Sequence, residues 1–281
     1  MRARPTAESR VTVPVAAARN SRAPAPSAAY VLHRYDWSES SLILDLFTRD
    51  LGRVAVAAKG VKRPYSQWRS VLLPFQRVHA TFGRAGRGEA NAEVLTLRGA
   101  EWAGGAAMLT GEALFSGFYC NELLMKLLAR NDPHVALFDA YAQTLPGLAT
   151  AQDRDREAAL RAFELLLLRL TGVLPDLARV TATQQPVAAD IEYQLLAQAG
   201  VSVASETGEA GVPGRVMVEL QNALDGDRLD ALQAACAADL AALKGMLRAV
   251  LHYHLGSSPL RTRAVMLDLQ KFANLGKTAR P

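Results

Sequence analysis

The first hundred residues alternate between short apolar runs and polar turns, a pattern typical of β-structure. Asp50 and Gly52 mark a tight turn, and the glycine-rich stretch Gly83–Gly88 marks another. Short strands at this spacing predict a small barrel or sandwich. The five predicted strands are Ala28–Tyr35, Ser41–Thr48, Gly52–Gly60, Leu72–Gly83 and Ala90–Trp102.

After Trp102 the apolar positions recur at helical spacing. Residues 175–215 are mixed and contain several turn residues. The pattern predicts an α+β protein, with an arm over residues 1–27, a β domain over 28–103 and a helical domain over 104–281. The predicted helices are Ala106–Arg130, Pro133–Leu148, Asp153–Thr171, Val216–Leu224, Arg228–Leu255 and Pro259–Phe272.

Residues 1–27 are rich in Ala, Arg, Pro and Ser and offer little to bury, so we expect a disordered basic arm. A transit peptide shares this composition but is the weaker interpretation. No apolar run approaches the ~18 residues of a membrane span. We therefore expect a cytoplasmic protein without membrane contact.

The net charge of +5 is unevenly distributed. Residues 1–100 carry 16 Lys and Arg against 7 Asp and Glu, whereas the remainder carries 16 against 20. A basic first third favours a polyanionic partner for that part of the chain. The alternative is that an Arg-rich composition merely solvates the surface.

A cluster of cations interleaved with Tyr65 and Trp68 follows the third predicted strand. Cations follow a phosphate backbone and aromatic faces stack on bases, which is the chemistry of single-strand binding on a small barrel. The alternative is a solvated loop with Trp68 packed on the core. The candidate phosphate contacts are Lys59, Lys62, Arg63 and Arg69, with Arg34, Arg84 and Arg87 as additions.

The sequence carries no motif of a common catalytic or cofactor site. It has no P-loop, no nucleophile elbow and no His–acid cluster, and Gly83–Gly88 lacks the dinucleotide-binding spacing. His252 and His254 are two positions apart and do not share a helix face. These observations favour a binding protein without cofactor or metal over an enzyme.

The apolar helix Ala158–Gly172 contains Arg161. One interpretation is a core helix whose arginine reaches past apolar neighbours to water. The other is that Arg161 borders an apolar groove for a peptide carrying an acid and an aromatic ring, with Phe115 and Phe118 as the opposite wall. The sequence alone favours the first interpretation.

Several stretches, in this order, resemble the RecO family of bacterial recombination mediators. The resemblance runs from Ala28 to Phe272, and it rests on the order and spacing of the pieces together. The pieces are YVLHRYDWSESSLILDLFT, GRVAVAAKGVKR, LLPF, SGFYCNELLMKLL, ALRAFELLLLRLTG and YHLGSSPLRTRAVMLDL.

This resemblance implies an N-terminal OB-fold barrel, an all-α C-terminal domain and a place at the bacterial nucleoid. It also implies binding to single- and double-stranded DNA, annealing of complementary strands and contact with RecR. The acidic C-terminal tail of the single-stranded DNA-binding protein SSB is a further implied partner. Together these activities would help load RecA on SSB-coated DNA. The matching positions are Lys59, Lys62 and Arg63 for DNA and Arg161 for the SSB tail.

One departure concerns zinc, because many members of the family carry four zinc-binding cysteines after the long helix. Residues 173–215 contain no cysteine, so zinc is not expected. Two rival functions stay open: an RNA-binding barrel protein, and a nucleic-acid-modifying enzyme. The second needs clustered acids, and those of the barrel segment are sparse.

Overall fold

The computed structural model describes residues 25–83, 94–105, 108–205, 211–256, 260–266 and 268. Most of the predicted N-terminal arm therefore lies outside the described residues. Two parts of the chain are distinguished by their secondary structure: a β-barrel that ends at Gly105, and a largely helical part that begins at Gly111.

Five of the described strands form a closed barrel in the order β1-β2-β3-β5-β4, which β1 closes by pairing with β4. The β3–β5 pair is parallel and the other neighbouring pairs are antiparallel. This arrangement confirms the predicted OB-fold barrel. The elements are β1 (Ser27–Asp36), β2 (Leu42–Thr48), β3 (Gly52–Ala58), the single-turn helix α1 (Trp68–Val71), β4 (Gln76–Gly83) and β5 (Val94–Gly105).

The barrel interior is filled by alternate residues of its strands, because successive side chains of a strand point to opposite faces. Val31, Leu44 and Val56 lie in this core and are fully buried, and Val78 and Leu97 complete it from β4 and β5. The other face of β1 and β2 is therefore free to contact the rest of the chain.

The helical domain that the sequence predicts is confirmed. The long predicted helix Arg228–Leu255 is wrong in one respect, because it breaks at Asp239 into two helices. Asp239 has a non-helical backbone, and its carboxylate accepts a hydrogen bond from Ala242 N–H at 3.2 Å, which caps the second helix. The helices are α2 (Gly111–Leu127), α3 (Val135–Leu148), α4 (Asp153–Leu170), α5 (Gly214–Asp225), α6 (Leu229–Ala238) and α7 (Leu240–Leu255).

A small sheet in the segment that the sequence left as mixed turns corrects the expectation of an all-α domain. Tyr193 and Leu195 alternate inward and are buried in the helical core, which is why this short segment forms a strand. The strands are β6 (Glu192–Leu196), β7 (Gly200–Val203) and β8 (Val212–Pro213), in the order β7-β6-β8.

The outer face of β1 and β2 packs against α3. The ring of Tyr30 lies 5.3 Å from that of Phe138 and 5.0 Å from that of Tyr141, and Phe47 lies 5.4 Å from Phe138. The Asn121 amide of α2 donates to Leu32 O at 3.1 Å and accepts from the Tyr141 hydroxyl at 2.6 Å. The two domains therefore share a single hydrophobic core at this junction.

The β2–β3 turn lies directly against the end of α2. Gly52 has a φ of +70°, and an added Cβ would lie 1.9 Å from Asp132 O, so only glycine fits this close approach. Arg53 O accepts the Asn131 N–H at 2.9 Å. Arg49 forms two hydrogen bonds to the Asp139 carboxylate, at 3.1 and 2.8 Å. These contacts hold the barrel in a defined orientation on the helices.

Candidate nucleic-acid interface

The predicted basic loop leaves the barrel at the same end as the β1–β2 turn. Asp36 at the end of β1 pairs with Leu42 of β2, and Leu42 pairs in turn with Ala58 at the end of β3. The loop begins at the next residue, Lys59. The strand register therefore brings the turn at residues 37–41 and the loop at residues 59–67 together.

Lys62 ties this loop to the neighbouring turn. Its backbone N–H donates to Ser40 O at 3.0 Å, and its Nζ donates to Ser38 O at 3.0 Å and pairs with the Asp36 carboxylate. The Lys62 side chain is 30% exposed. Asp36 partly neutralises the Lys62 charge, so in this structure Lys62 mainly attaches the loop to the β1–β2 turn.

The remaining cations of the loop are free to meet a ligand. The side chains of Lys59, Arg63 and Arg69 are exposed, and none of them pairs with a carboxylate in the described part of the chain. Tyr65 is 97% exposed. A shallow cavity of about 460 Å³ is lined by Lys59, Gly60, Arg63, Tyr65, Ser66, Gln67 and Trp68.

Trp68 is half-buried and packs against the barrel core, as the alternative interpretation of the loop expected. Arg34 is exposed on β1, two residues before Asp36, and so lies toward the same end of the barrel. Arg84 and Arg87 lie outside the described residues and stay predictions. The structure thus brings Arg34, Lys59, Arg63 and Arg69 toward one end of the barrel.

Sequence reasoning missed two aromatic residues at this end. Tyr35 is 45% exposed and Trp37 is 56% exposed. His33 and Tyr35 occupy alternate positions of the predicted strand Ala28–Tyr35, and this spacing was a sequence indication that these two exposed residues share one face. Trp37 follows directly after the end of β1.

Arg161 is buried rather than exposed at a groove. Its guanidinium Nη1 lies 2.9 Å from the carboxylate of Glu164, and Glu164 also accepts a hydrogen bond from the Tyr119 hydroxyl at 2.6 Å. Burial raises the pKa of Glu164, against the opposing effects of the Arg161 charge and the Tyr119 hydrogen bond. This buried group belongs to the core between α2 and α4.

The two phenylalanines predicted beside Arg161 are both half-buried on α2. The ring of Phe118 lies 5.1 Å from that of Phe75, so it packs toward the barrel. No contact between Arg161 and either Phe115 or Phe118 is resolved among the described residues, and their assignment to the SSB tail stays a prediction.

Comparison with known families decides between the classes of protein that share such a barrel. A family model described as "Recombination protein O N terminal" matches residues 25–98, and one described as "Recombination protein O C terminal" matches residues 108–264. The chain belongs to the RecO family. The resemblance in the sequence is therefore confirmed over both domains.

Individual relatives agree with this RecO assignment. A DNA repair protein RecO of Variovorax paradoxus is 54% identical over 252 residues, which cover 86% of this chain and 95% of that protein. The DNA repair protein RecO of Verminephrobacter eiseniae is 51% identical over 247 residues, with coverage of 88% and 96%. Family membership places this chain among the DNA repair proteins.

Two further findings concern the described part of this RecO chain. No helix in it is long and apolar enough to cross a membrane. No group of three or more His, Cys, Asp or Glu residues in it is placed to hold a metal ion. Both cysteines, Cys120 and Cys236, are buried free thiols.

Proposed function

We propose that this chain is a recombination mediator that acts by binding alone. It binds single- and double-stranded DNA, anneals complementary strands and, with RecR, helps load RecA on SSB-coated DNA. The observation that carries the proposal is the set of exposed cations Lys59, Arg63 and Arg69 at one end of an OB-fold barrel, none of which pairs with a carboxylate among the described residues. The proposal extends the DNA repair role that membership of the RecO family gives.

The chemistry of this loop suits both forms of DNA. Lysine and arginine neutralise phosphates and release counterions, and both single strands and duplexes carry phosphates. Contacts with phosphates do not depend on the base sequence. A protein that acts at any damaged site requires binding that is independent of sequence in this way.

The same charges account for annealing. Two complementary strands repel each other through their phosphates, and a cationic surface that binds one strand lowers this repulsion for the second. The protein therefore needs no catalytic group for this step.

Arg161 supports the proposed contact with the SSB tail through one unsatisfied atom. Its Nε has no hydrogen-bond partner among the described residues, but it is buried, so a tail carboxylate reaches this donor only if the surrounding side chains move. In this proposal the half-buried ring of Phe115 supplies apolar surface for the aromatic end of the tail. Contact with RecR rests on family membership alone.

The test is an annealing assay on complementary strands coated with SSB, with and without this chain. We expect the chain to accelerate annealing, and to lose this effect when SSB lacks its acidic tail. Bare complementary strands form the control, because they need no displacement of SSB. Failure to accelerate annealing of either bare or coated strands would contradict the proposed function.

An RNA-binding role remains the second candidate because the fully exposed Tyr65 among cations can stack on either polymer. Parallel titrations with DNA and RNA oligomers of one sequence separate the two. We expect the affinity for DNA to equal or exceed that for RNA, and a strong preference for RNA would favour the second candidate.

A further inference from the structure

The outer face of β1 presents a line of aromatic rings that the basic loop does not use. A bulge between Val31 and His33 shifts the register, so that Tyr30, His33 and Tyr35 stand opposite Phe47, Asp45 and Ile43 on one face. The helices cover this face at Tyr30 and Phe47 and leave it exposed from His33 onward.

His33, Tyr35 and Trp37 make up this aromatic strip. The rings of His33 and Tyr35 are 4.4 Å apart at an angle of 65°, and both side chains are exposed, as is that of Trp37. This edge-to-face contact joins the two rings into one continuous aromatic surface, on which a base of a single strand can stack.

The described segment 260–266 lies near this strip and adds positive charge to it. The Glu122 carboxylate accepts hydrogen bonds from the backbone N–H groups of Arg261 and Thr262, at 2.8 and 3.0 Å, and so fixes the segment 260–266 on α2. The pKa of His33 lies below its ordinary value, first because the neighbouring elements partly desolvate the exposed ring and then because of the charges of Arg261 and Arg34, against the opposing charge of Asp45. Asn121, the neighbour of Glu122 on α2, donates to Leu32 O at 3.1 Å, one residue before His33. The segment held by Glu122 therefore lies close to the start of the strip, and Arg261 in it is exposed.

Two carboxylates beside the strip, those of Asp45 and Asp36, already have cationic partners. Asp45 lies 3.8 Å from Arg53 Nε and 3.6 Å from Arg130 Nη2, and Asp36 pairs with Lys62. Exposed rings that have the exposed cations Arg34 and Arg261 near them match a ligand with flat apolar faces on an anionic backbone. A single-stranded nucleic acid is such a ligand, whereas a duplex keeps its base faces inside.

We propose that His33, Tyr35 and Trp37 form a stacking surface for the bases of a single strand, with Arg261 as a phosphate contact from the helical domain. The proposal rests on the proposed DNA-binding function and adds to it a site that distinguishes single strands from duplexes. Glu122 is a positioning residue in it, because it holds Arg261 beside β1.

The test uses the fluorescence of Trp37 itself. The chain has three tryptophans, so Trp68→Phe with Trp102→Phe leaves Trp37 as the reporter. Oligothymidylate carrying a dye at one end is titrated into this variant, and dye anisotropy and Trp37 emission are followed together. We expect Trp37 emission to be quenched with the same midpoint as the rise in anisotropy.

A second measurement compares single strands with duplexes of the same length. Tyr35→Ala with Trp37→Ala should weaken single-strand binding by about tenfold or more and leave duplex binding unchanged, because each base stacked on an aromatic ring contributes ~1–3 kcal/mol. Trp102→Ala is the matched control, since Trp102 is 65% exposed on β5, which does not pair with β1. We expect it to change neither affinity.

Three results would overturn the inference. Unquenched Trp37 emission while the oligomer binds would remove the strip from the DNA site and leave the proposed function standing. Equal losses on single strand and duplex would show that the rings do not act by stacking. Absence of any rise in anisotropy would refute the stacking surface and the proposed function together.

Discussion

The Glu122 carboxylate on α2 accepts the backbone N–H of Thr262 at 3.0 Å, 140 residues further along the chain. The Thr262 hydroxyl donates to the same carboxylate oxygen at 2.7 Å, and Arg261 N–H donates to the other oxygen. A single buried carboxylate thus attaches the last described segment to the core of the helical domain. The contact joins parts of the chain that no local sequence pattern relates.

Replacement of Glu122 by glutamine should release this segment. Glu122→Gln leaves one carbonyl oxygen for three donors and removes the charge, so we expect a loss of roughly 1–3 kcal/mol in the free energy of unfolding. Urea denaturation measures this loss, and hydrogen exchange at Arg261 and Thr262 localises it. Glu219→Gln, at an exposed position of α5, is the control and should change neither the free energy of unfolding nor the hydrogen exchange at these two residues. Unchanged exchange at residues 261 and 262 would refute the role of Glu122.

The same contact makes stability depend on pH in a defined direction. Burial raises the pKa of Glu122, but hydrogen bonds from Thr262 and Arg261 and the charge of Lys126 outweigh it, and the pKa lies below its ordinary value. The stabilisation is therefore complete above the ordinary glutamate pKa of about 4.3. It is lost as the pH falls through the lower pKa of the folded state. The stability difference between the parent and Glu122→Gln should shrink below pH 4, and a constant difference would contradict this.

Arg161→Ala should destabilise the protein strongly, whatever its effect on the SSB tail. It leaves Glu164 buried without its cationic partner, which costs about 3–5 kcal/mol. Arg161→Met combined with Glu164→Gln removes both charges and should recover most of that loss in a thermal or urea denaturation. Failure of the double variant to recover would mean that Arg161 contributes through contacts other than Glu164.

The double variant also tests the SSB tail on a folded protein. If Arg161 receives the tail carboxylate, a fluorescent tail peptide should lose affinity by about 2 kcal/mol or more on the double variant. Glu164→Gln alone keeps the arginine and is the control, measured at a temperature at which its denaturation curve shows it folded. Parent-like affinity on the double variant would exclude Arg161 from the tail site.

Purified protein should contain no stoichiometric zinc. No cysteine lies between residues 173 and 215. Among the residues that the structure describes, no group of three or more His, Cys, Asp or Glu is placed to hold a metal ion. Elemental analysis of protein purified without chelators measures this, and one zinc per chain would contradict the expectation.

Asp36 should limit the affinity for DNA, because it neutralises Lys62. Asp36→Asn removes this competing charge, so we expect tighter binding of both single strand and duplex, by roughly two- to tenfold at low salt. Lys62→Ala should weaken binding less than Arg63→Ala does, since Arg63 has no carboxylate partner among the described residues. Equal losses of DNA affinity from Lys62→Ala and Arg63→Ala would show that the Lys62–Asp36 ion pair opens without a free-energy cost when DNA binds.

The sequence predicted the barrel because its strands alternate clearly and are separated by turn residues such as Gly52. It predicted the exposed cations of the loop after β3 for the same local reason, since Lys59 and Arg63 follow an apolar strand directly. It did not predict the strands β6 to β8, which are two to five residues long and owe their form to burial of Tyr193 and Leu195. The alternation of apolar and polar residues cannot identify a strand in segments of two to five residues.

Contacts over long sequence distances account for the other differences. Arg161 and Glu164 are three positions apart, so a pair was visible in the sequence, but its complete burial depends on how α2 packs on α4. The docking of Arg261 beside β1 depends on Glu122 and has no local pattern. Lys62 belonged to the predicted cations, yet its pairing with Asp36 follows from the strand register.

The salt dependence of single-strand binding tests the central claim, which is that the basic loop of the barrel binds DNA phosphates. The parent should lose affinity linearly with the logarithm of the salt concentration, and Lys59→Glu with Arg63→Glu should flatten that slope by about 1.4, or ~0.7 for each lost phosphate contact. Arg215→Glu with Arg248→Glu makes the same change of charge on exposed positions of α5 and α7 and should leave the slope unaltered. A flat response of the parent, or equal slopes for the parent and the loop variant, would contradict the claim.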